Sequence, residues 1–212
     1  MNSQTTQIVL CRAGSDHWEY IIDQLIAKAQ LIVYDKNEQQ PLNIKESFKY
    51  ERRPLINIGK ECFTFIHHII YNYNSLSQYT LFTSDDFFNH IKDIDRFLKY
   101  YELAIGLKQP YKPYKCMHWI DKEPYSVFIE NGFLKDNHIS DVSENIIAEA
   151  CKELGLQIPK SYTSEVASYF MVSRERVHRH PLEYYIKIYN WIADKPKRNE
   201  EAMEYMWPIL FG

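Results

Sequence analysis

The start of the chain carries the pattern of a strand, a helix and a second strand. Residues 7–11 (QIVLC) form a short apolar and β-branched run, which is typical of a buried strand. Apolar residues then recur at helical spacing between positions 18 and 26, which predicts a helix from the candidate N-cap Ser15 through Ala29. Residues 31–34 (LIVY) form a second apolar run. This order predicts a parallel pair of strands with a right-handed crossover.

Strands and helices continue to alternate along the rest of the chain. Further strands are predicted at residues 53–58, 79–82 and 167–172. Helices are predicted at residues 59–73, 89–105, 143–154, 181–193 and 199–211. Ser143 is the expected cap of the third of these helices, and Gly155 is its expected end. Residues 106–137 are rich in proline and aromatic residues and fit no pattern.

The alternation predicts the fold class. We expect an α/β fold with a mostly parallel central sheet flanked by helices, as a single domain over residues 1–212. Whether this domain is a fragment of a longer chain is left open by the sequence.

Composition narrows the possible functions. Of the 212 residues, 45% are hydrophobic and 25% are charged, which suits a folded domain rather than a disordered chain. Lys and Arg number 25 against 28 Asp and Glu, a net charge of −3, so nucleic-acid binding through phosphate neutralisation is not expected. No apolar run approaches the ~20 residues that span a bilayer, so no membrane span is expected.

The cysteines and the polar N-terminus indicate the compartment. The four cysteines are scattered and form no C-x-x-C pair, which favours a reducing compartment over a disulfide framework or a zinc site. The first residues lack the pattern of a signal peptide. We therefore expect a cytoplasmic protein, and we expect it to be a monomer.

Candidate chemistry lies where the predicted strands end. In an open α/β sheet, ligands bind beyond the carboxyl ends of the strands. This rule selects residues 12–16, 34–36, 59–61 and 84–86. The chain contains neither G-x-G-x-x-G nor G-x-x-x-x-G-K-[ST], which argues against a dinucleotide dehydrogenase and a P-loop NTPase. Zinc-hydrolase (H-E-x-x-H) and α/β-hydrolase (G-x-S-x-G) motifs do not occur either.

The most suggestive of these places is Ser84-Asp85-Asp86. Two adjacent carboxylates at a strand end are costly unless solvent or a cation offsets their charge. Their hard oxygen atoms suit Mg²⁺ or Mn²⁺, either of which can bridge to a diphosphate. Ser84 and Asp86 share a face if the segment is extended. The alternative is that one aspartate merely caps the following helix.

Other residues at the strand ends could contact a nucleotide. Arg12 and Lys60 are cations that could meet phosphate oxygens, and Gly59 at a helix start would let backbone N–H groups approach an anion. Tyr34 could stack on a base while Asp35 binds a ribose or a base N–H. For each of these, an ordinary surface or turn position is the alternative.

Three further features have a structural and a functional interpretation. Glu165 precedes the last predicted strand, where it could act as a base or hold an acceptor hydroxyl, or simply be a solvated loop carboxylate. His67 and His68 are adjacent within a helix, so they point in different directions and are interpreted as structural. Arg174, Arg176 and Arg179 form a basic cluster that either lines a helix face or contacts a phosphate or an acceptor.

The chain resembles small GT-A-type glycosyltransferases, and more closely a family of short glycosyltransferase-like proteins with four sequence blocks. The first block, Ala-Arg-Tyr-Asn-Glu-Asp after a strand, is matched by Arg12 and Asp16, with Ala13 and Gly14 departing from it. The other blocks are matched by residues 57–61 with 67–69, residues 84–90, and residues 170–175 with Pro181, Tyr184, Tyr185 and 207–212. The size and ending are also similar to those of the N-terminal module of chlorella-virus capsid glycosyltransferases. The aromatic segment 207–211 is expected to pack in the core.

The resemblance implies a UDP-sugar donor, a divalent ion on a D-x-D-like element and transfer to a hydroxyl group of a glycan or glycoprotein. By this match Asp86 is the catalytic metal carboxylate, Asp85 is its neighbour and partner in metal binding, and Ser84 stands where the first aspartate of the element would be. The nucleotide and diphosphate would be held by Arg12, Tyr34, Asp35, Gly59, Lys60, Ser84 and Asp85. Glu165 is the candidate base.

The expected function is therefore metal-dependent transfer of a hexose or deoxyhexose from a UDP-sugar to a glycan acceptor, including the glycosylation of a viral capsid protein. The alternative is a non-catalytic module that binds a nucleotide-sugar or a carbohydrate. A sugar-phosphate nucleotidyltransferase would need a glycine-rich basic loop, of which Arg12-Ala13-Gly14 is a poor version. The sugar, the acceptor and the stereochemistry are left open.

Overall fold

The computed structural model of the chain describes residues 6–14, 25, 29–36, 50–85, 93–114, 126–135, 143–165 and 169–212. The strands within these residues are β1 Thr6–Arg12, β2 Gln30–Asp35, β3 Tyr50–Pro54, β4 Tyr79–Ser84, β5 Tyr111–Pro113, β6 Ser126–Glu130, β7 Phe133–Leu134, β8 Ser161–Glu165 and β9 Phe170–Ser173. The helices are α1 Lys60–Tyr71, α2 Ile94–Gly106, α3 Ile146–Leu154, α4 Arg174–Val177, α5 Leu182–Asp194 and α6 Pro196–Phe211. None of these described helices is long and apolar enough to cross a membrane.

Six strands form the central sheet, in the order β3-β2-β1-β4-β9-β5. Strands β1 to β4 are mutually parallel, with Ile8 opposite Leu31 in β2 and Leu81 in β4. Strand β9 runs antiparallel to both β4 and β5. A smaller antiparallel sheet has the order β7-β6-β8. The predicted α/β class is confirmed, with a mixed central sheet that is compatible with a Rossmann-like fold.

Helices cover both faces of the central sheet, which explains why β1, β2 and β4 are apolar along nearly their whole length. On one face, Val9 and Phe82 belong to a core cluster that contains residues of α1, α3, α5 and α6. On the other face, Ile8 and Leu10 pack in a second cluster with residues of α2. Alternate residues of one strand therefore enter two different cores.

The end of the chain closes the first core with aromatic side chains. Trp207 and Phe211 of α6 are 1% and 0% exposed. The Trp207 ring lies 4.7 Å from that of Phe170 in β9, and its plane is nearly parallel to that of Phe211. The expected core position of residues 207–211 is confirmed, and burial of such large rings is a major favourable term in folding.

Three local predictions differ from the structure. The third strand lies at residues 50–54 rather than 53–58, because the chain leaves the sheet at Pro54 and the apolar residues that follow form a turn. Helix α3 begins at Ile146 with Asn145 as its N-cap, and the Ser143 hydroxyl donates to the Asn145 side chain instead of capping the helix. Residues 106–137, which fit no pattern, contain β5, β6 and β7.

Other expected elements agree more closely. Gly155 ends α3 in the left-handed conformation with a φ of 69°, as predicted. The expected helix at residues 15–29 and residues 89–92 of another lie outside the described residues, apart from buried Leu25 and Ala29. The expected last strand, residues 167–172, is β9 at residues 170–173, and its first two positions are likewise not described.

Gly59, which precedes α1, gives the first prediction. Its φ is 57°, and a Cβ atom there would lie 2.6 Å from Cγ2 of Ile192 and 2.8 Å from Cβ of Phe63. Gly59→Ala should therefore lower the free energy of unfolding by about 2–5 kcal/mol, through backbone strain and overpacking. Gly106→Ala is the matched control, because Gly106 is helical and a Cβ there meets nothing within 4 Å. Urea denaturation that gives equal values for the two variants would contradict this packing argument.

Candidate functional site

The carboxyl ends of β1, β2 and β4 meet at one edge of the central sheet. Arg12 pairs with Asp35, and Cys11 pairs with Ser84. The ladder continues beyond the strands, because the Asp85 N–H donates to Cys11 and the Lys36 N–H donates to Arg12, each over 2.9 Å. From β1 the chain builds β2 and β3 to one side and places β4 on the other. This boundary is a topological switch point, where α/β folds bind ligands.

Asp85 joins the two loops at this switch point. Its Oδ2 atom accepts the backbone N–H groups of Ala13 and Gly14, each over 2.9 Å, and the residue is buried. Gly14 has a φ of 132°, which a side chain would strain. Asp85 therefore holds the loop after β1 against the end of β4.

Asp35 is the centre of a buried ion cluster at the same edge. Its Oδ1 atom lies 2.9 Å from Nη1 of Arg12, and its Oδ2 atom lies 2.7 Å from Nη2 and 3.0 Å from Nε of Arg52. The Asp35 side chain is 1% exposed, that of Arg12 is 3% exposed, and that of Arg52 is 39% exposed. Two guanidinium groups thus flank one carboxylate, and the three side chains together carry one excess positive charge.

Tyr34 lies on the opposite face of β2 from Asp35, in the core beneath α1. It is fully buried, and its ring centroid lies 5.5 Å from that of His67 and 5.8 Å from that of His68. Its hydroxyl is hydrogen-bonded to Arg53 and His68. The buried ring has no exposed face on which a base could stack, so the stacking role that we expected for Tyr34 is not compatible with this arrangement.

Lys36 holds the turn that leads into α1. Its ammonium group is buried and donates to the backbone carbonyls of Ile58, over 2.7 Å, and Lys60. Within this turn Gly59 has a φ of 57° and Lys60 a φ of 37°. The turn requires a glycine at position 59, and a Cβ atom there would clash with Ile192. Both reasons are independent of any bound anion.

Lys60 faces carboxylates of α1 and α6. Its ammonium lies 3.3 Å from Oε1 of Glu200, and its side chain is more than half exposed. Burial alone would lower the pKa of Lys60, but Glu200, Glu204 and Glu61 outweigh it and raise the pKa. Burial, together with repulsion from Glu61, raises the pKa of Glu204 to about 7. These carboxylates offset the charge that we expected Lys60 to offer to a diphosphate.

The remaining predicted site residues lie in different places. Ser84 is buried and its hydroxyl is hydrogen-bonded to that of Tyr169 over 3.1 Å. Glu165 ends β8 in the smaller sheet, opposite Ser126. Burial raises the pKa of Tyr100 to about 12, and the nearby Glu165 carboxylate adds to this. Asp86 lies outside the described residues, as does Asp16.

The structure thus brings together Arg12, Asp35, Ser84 and Asp85 at the predicted edge. Tyr34 faces the core, and the Lys60 ammonium is paired with Glu200. Among the described residues, no group of three or more His, Cys, Asp or Glu side chains could hold a metal ion. The predicted Mn²⁺ or Mg²⁺ site depends on Asp86 and stays a prediction.

Comparison with known proteins supplies a family. The profile of the family described as "Protein of unknown function (DUF3431)" matches residues 8–212, nearly the whole chain. The chain belongs to the DUF3431 family. A search of curated proteins gives no match.

Two of the three arginines in the basic cluster of this DUF3431 chain donate to backbone carbonyl groups. Arg174 donates to the carbonyl of Leu76 over 3.2 Å, and Arg176 donates to that of Gly212 over 2.7 Å. These bonds favour the structural interpretation of the cluster over a phosphate contact.

Sequence reasoning missed Arg52 and Lys36 as site residues. Arg52 lies on edge strand β3, whose sequence (YERRP) has no apolar alternation to mark it. Lys36 follows β2 directly, so the strand-end rule selected its position but gave no reason for its burial. The only available signal in both cases was a cation close to a strand end.

The buried ion cluster predicts that loss of the Asp35 charge strongly destabilises the folded protein. Asp35→Asn removes the buried negative charge that pairs with the guanidinium groups of Arg12 and Arg52, so the free energy of unfolding should fall by about 3–5 kcal/mol. Glu130→Gln is the matched control, because Glu130 and Lys135 form a pair in which each side chain is 47% exposed. That variant should change stability by less than about 0.5 kcal/mol. Equal midpoints and slopes in urea for Asp35→Asn and Glu130→Gln would refute the role of Asp35.

The raised pKa of Glu204 predicts how the free energy of unfolding changes with pH. Its pKa rises from an ordinary 4.5 to about 7 on folding, so between these values the folded protein binds more protons than the unfolded chain. The contribution of Glu204 to the free energy of unfolding therefore falls as pH rises through this window. Glu204→Gln should gain stability relative to the original protein between pH 4.5 and 7, and the difference should level off above that range. Urea denaturation across the window that shows a constant difference would contradict the assigned pKa.

Proposed function

We propose that this DUF3431 protein is a GT-A-like glycosyltransferase that takes a UDP-sugar in the crevice beyond the carboxyl ends of β1 and β4. The observation that carries the proposal is the joining of the β1 loop to the acidic turn after β4, through the two hydrogen bonds to Asp85. These are two of the four places that the sequence selects. They lie at the topological switch point, where α/β sheets bind nucleotides.

A guanidinium group at this edge supports a diphosphate ligand. Arg12 lies at the end of β1, next to the switch point, and Asp35 holds its guanidinium over 2.9 Å. Guanidinium groups bind phosphate oxygens through charge-assisted hydrogen bonds. Arg12 is therefore our candidate contact to the diphosphate, and Asp35 is the residue that fixes its position.

The two adjacent aspartates take different roles in this proposal. Oδ2 of Asp85 accepts the backbone N–H groups of both Ala13 and Gly14, so this carboxylate already anchors the β1 loop. We assign Asp85 to positioning and keep Asp86 as the proposed metal ligand. The bound Mn²⁺ or Mg²⁺ would offset negative charge on the departing UDP.

The acceptor is proposed to be a hydroxyl group of a glycan or glycoprotein, as the resemblance implies. Glu165 lies in the smaller sheet, and its role as a base stays a prediction. Its charge acts on Tyr100 and Tyr111, which lie beside or within β5, two strands from β4.

A binding experiment tests the nucleotide site. UDP should bind more tightly with Mn²⁺ than without it, as measured by titration calorimetry. Asp86→Ala should reduce the metal-dependent part of the affinity about tenfold or more, since a lost charge-assisted contact costs on the order of 1.5–3 kcal/mol. Asp95→Ala is the matched control, because Asp95 is an exposed aspartate on α2. A UDP affinity that is unaffected by metal, or by Asp86→Ala, would contradict the metal assignment.

Turnover separates the enzyme from a binding module. With Mn²⁺, UDP-sugars and glycan acceptors, release of UDP supports the transferase. Metal-dependent UDP binding without release from any donor would favour a non-catalytic nucleotide-sugar module. Absence of UDP binding would refute both.

A further inference from the structure

A buried histidine connects α1 to the two outer parallel strands. His68 is fully buried in α1, and its Nδ1 atom lies 3.1 Å from the hydroxyl of Tyr34 in β2. That hydroxyl accepts a hydrogen bond from Nη1 of Arg53 in β3, over 3.0 Å. The bidentate pair of Arg53 with Glu51 fixes the guanidinium in turn.

Asn72 determines which ring nitrogen of His68 carries the proton. Nη1 of Arg53 lies 3.3 Å from Oδ1 of Asn72, and since arginine can only donate, the amide must present its oxygen to Arg53. The amide nitrogen then faces His68, where it donates to the backbone carbonyl over 2.8 Å and lies 3.2 Å from Nδ1. Nδ1 is therefore an acceptor, and the proton of the neutral ring resides on Nε2.

The Nε2–H group points into an apolar environment. Within the described part of the chain it has no hydrogen-bond partner. On the β4 side the ring of Phe82 contacts the imidazole edge-on, with its centroid 5.8 Å away and its plane at 77°. A charged imidazole would be poorly solvated here, and a second proton on Nδ1 would face the donors that now point at it.

The network holds β3 to the sheet from the face opposite the ion cluster. Tyr34 and Arg53 are register partners in β2 and β3. Their neighbours Asp35 and Arg52 form the ion pair on the other face. Edge strand β3 is mostly exposed and pairs with β2 alone, so polar contacts on its two faces add to that backbone ladder in fixing its position.

We propose that neutral His68 is a pH-sensitive latch for edge strand β3, and that protonation of its imidazole releases β3, and with it the Arg52–Asp35 pair, from the sheet. The proposal is independent of the proposed reaction, because it concerns only the contacts that join α1 to β2 and β3. By keeping β3 in place, His68 keeps Arg52 against Asp35 and so acts as a positioning residue.

Burial and the nearest cation favour the neutral form of the ring. Burial, together with the Arg53 guanidinium and His67, lowers the pKa of His68 to about 3. Burial, together with Arg53 and Lys36, lowers the pKa of His67 to about 4. The carboxylate of Glu51 is paired with Arg53, β2 contributes the Tyr34 hydroxyl, and β4 contributes the apolar Phe82.

The sign of the pH effect follows from these values. With β3 released, His68 would recover an ordinary pKa of 6.5, well above its value of about 3 when latched. The released state therefore binds more protons between these values. Falling pH shifts the equilibrium towards release throughout that window.

The first experiment determines directly which ring nitrogen of His68 carries the proton. Nitrogen-15 NMR of the imidazole rings, with the His68 signals identified by their loss in His68→Gln, should show a protonated Nε2 and an unprotonated Nδ1. The signals of the folded protein should not titrate above about pH 4. A protonated Nδ1, or a titration midpoint near 6.5, would overturn the proposal.

The second experiment measures whether β3 is released from the sheet as the pH falls. Hydrogen-exchange protection factors of the β3 amides should fall as pH is lowered from about 6.5 to 4, while those of β1 and β4 stay high. Tyr34→Phe removes one donor to Nδ1, so it should raise the pKa of His68 and move the loss of β3 protection to higher pH. Tyr185→Phe is the matched control, because it removes another buried hydroxyl, which donates to the Val177 carbonyl over 2.8 Å.

Two outcomes of this second experiment would refute the latch. One is β3 protection that does not depend on pH. The other is an equal shift of the β3 protection profile in Tyr34→Phe and Tyr185→Phe, which would make the effect one of general destabilisation.

Discussion

The buried carboxylate of Asp35 is the contact on which the candidate site depends. Removing an ion from water costs several kcal/mol, which is recovered only when opposite charges and hydrogen bonds surround the ion. Arg12 supplies one such contact from β1, and Arg52 supplies two from β3. The same carboxylate therefore ties three strands together at the edge where a ligand would bind. Any displacement of β3 withdraws Arg52 and leaves the Arg12–Asp35 pair less well compensated.

The buried parallel strands could be predicted from the sequence because burial on both faces requires continuous apolar runs. Residues 7–11, 31–34 and 79–82 all lie within observed strands of the predicted sheet. Edge strand β3 carries charged residues instead, so its position was wrong by several residues. Leu55, Ile56 and Ile58, which suggested a strand, belong to the turn held by Lys36, and a local pattern does not reveal that contact between segments.

The candidate site was only partly predictable, for a related reason. The strand-end rule depends on topology alone, and it correctly brought Arg12, Asp35 and Asp85 to one edge. Which way each side chain faces depends on strand alternation and on the helix that covers each face. Tyr34 and Asp35 are adjacent, so they lie on opposite faces, and only one could join the ion cluster. Lys60 similarly finds its partner in Glu200 of α6, far along the chain, where no local signal indicates the pair.

The departure of the chain from the short glycosyltransferase-like pattern has a physical explanation in the same loop. Gly14 stands where that pattern has asparagine, and its φ of 132° lies in a region that favours glycine. Asparagine adopts positive φ mainly near +57°, whereas a φ of 132° is accessible essentially only to glycine, so this turn depends on the glycine itself. In this conformation the N–H groups of Ala13 and Gly14 converge on Asp85. The departure from the pattern therefore accompanies a turn that sets the β1 loop against the end of β4, and an asparagine at this position would require a different turn.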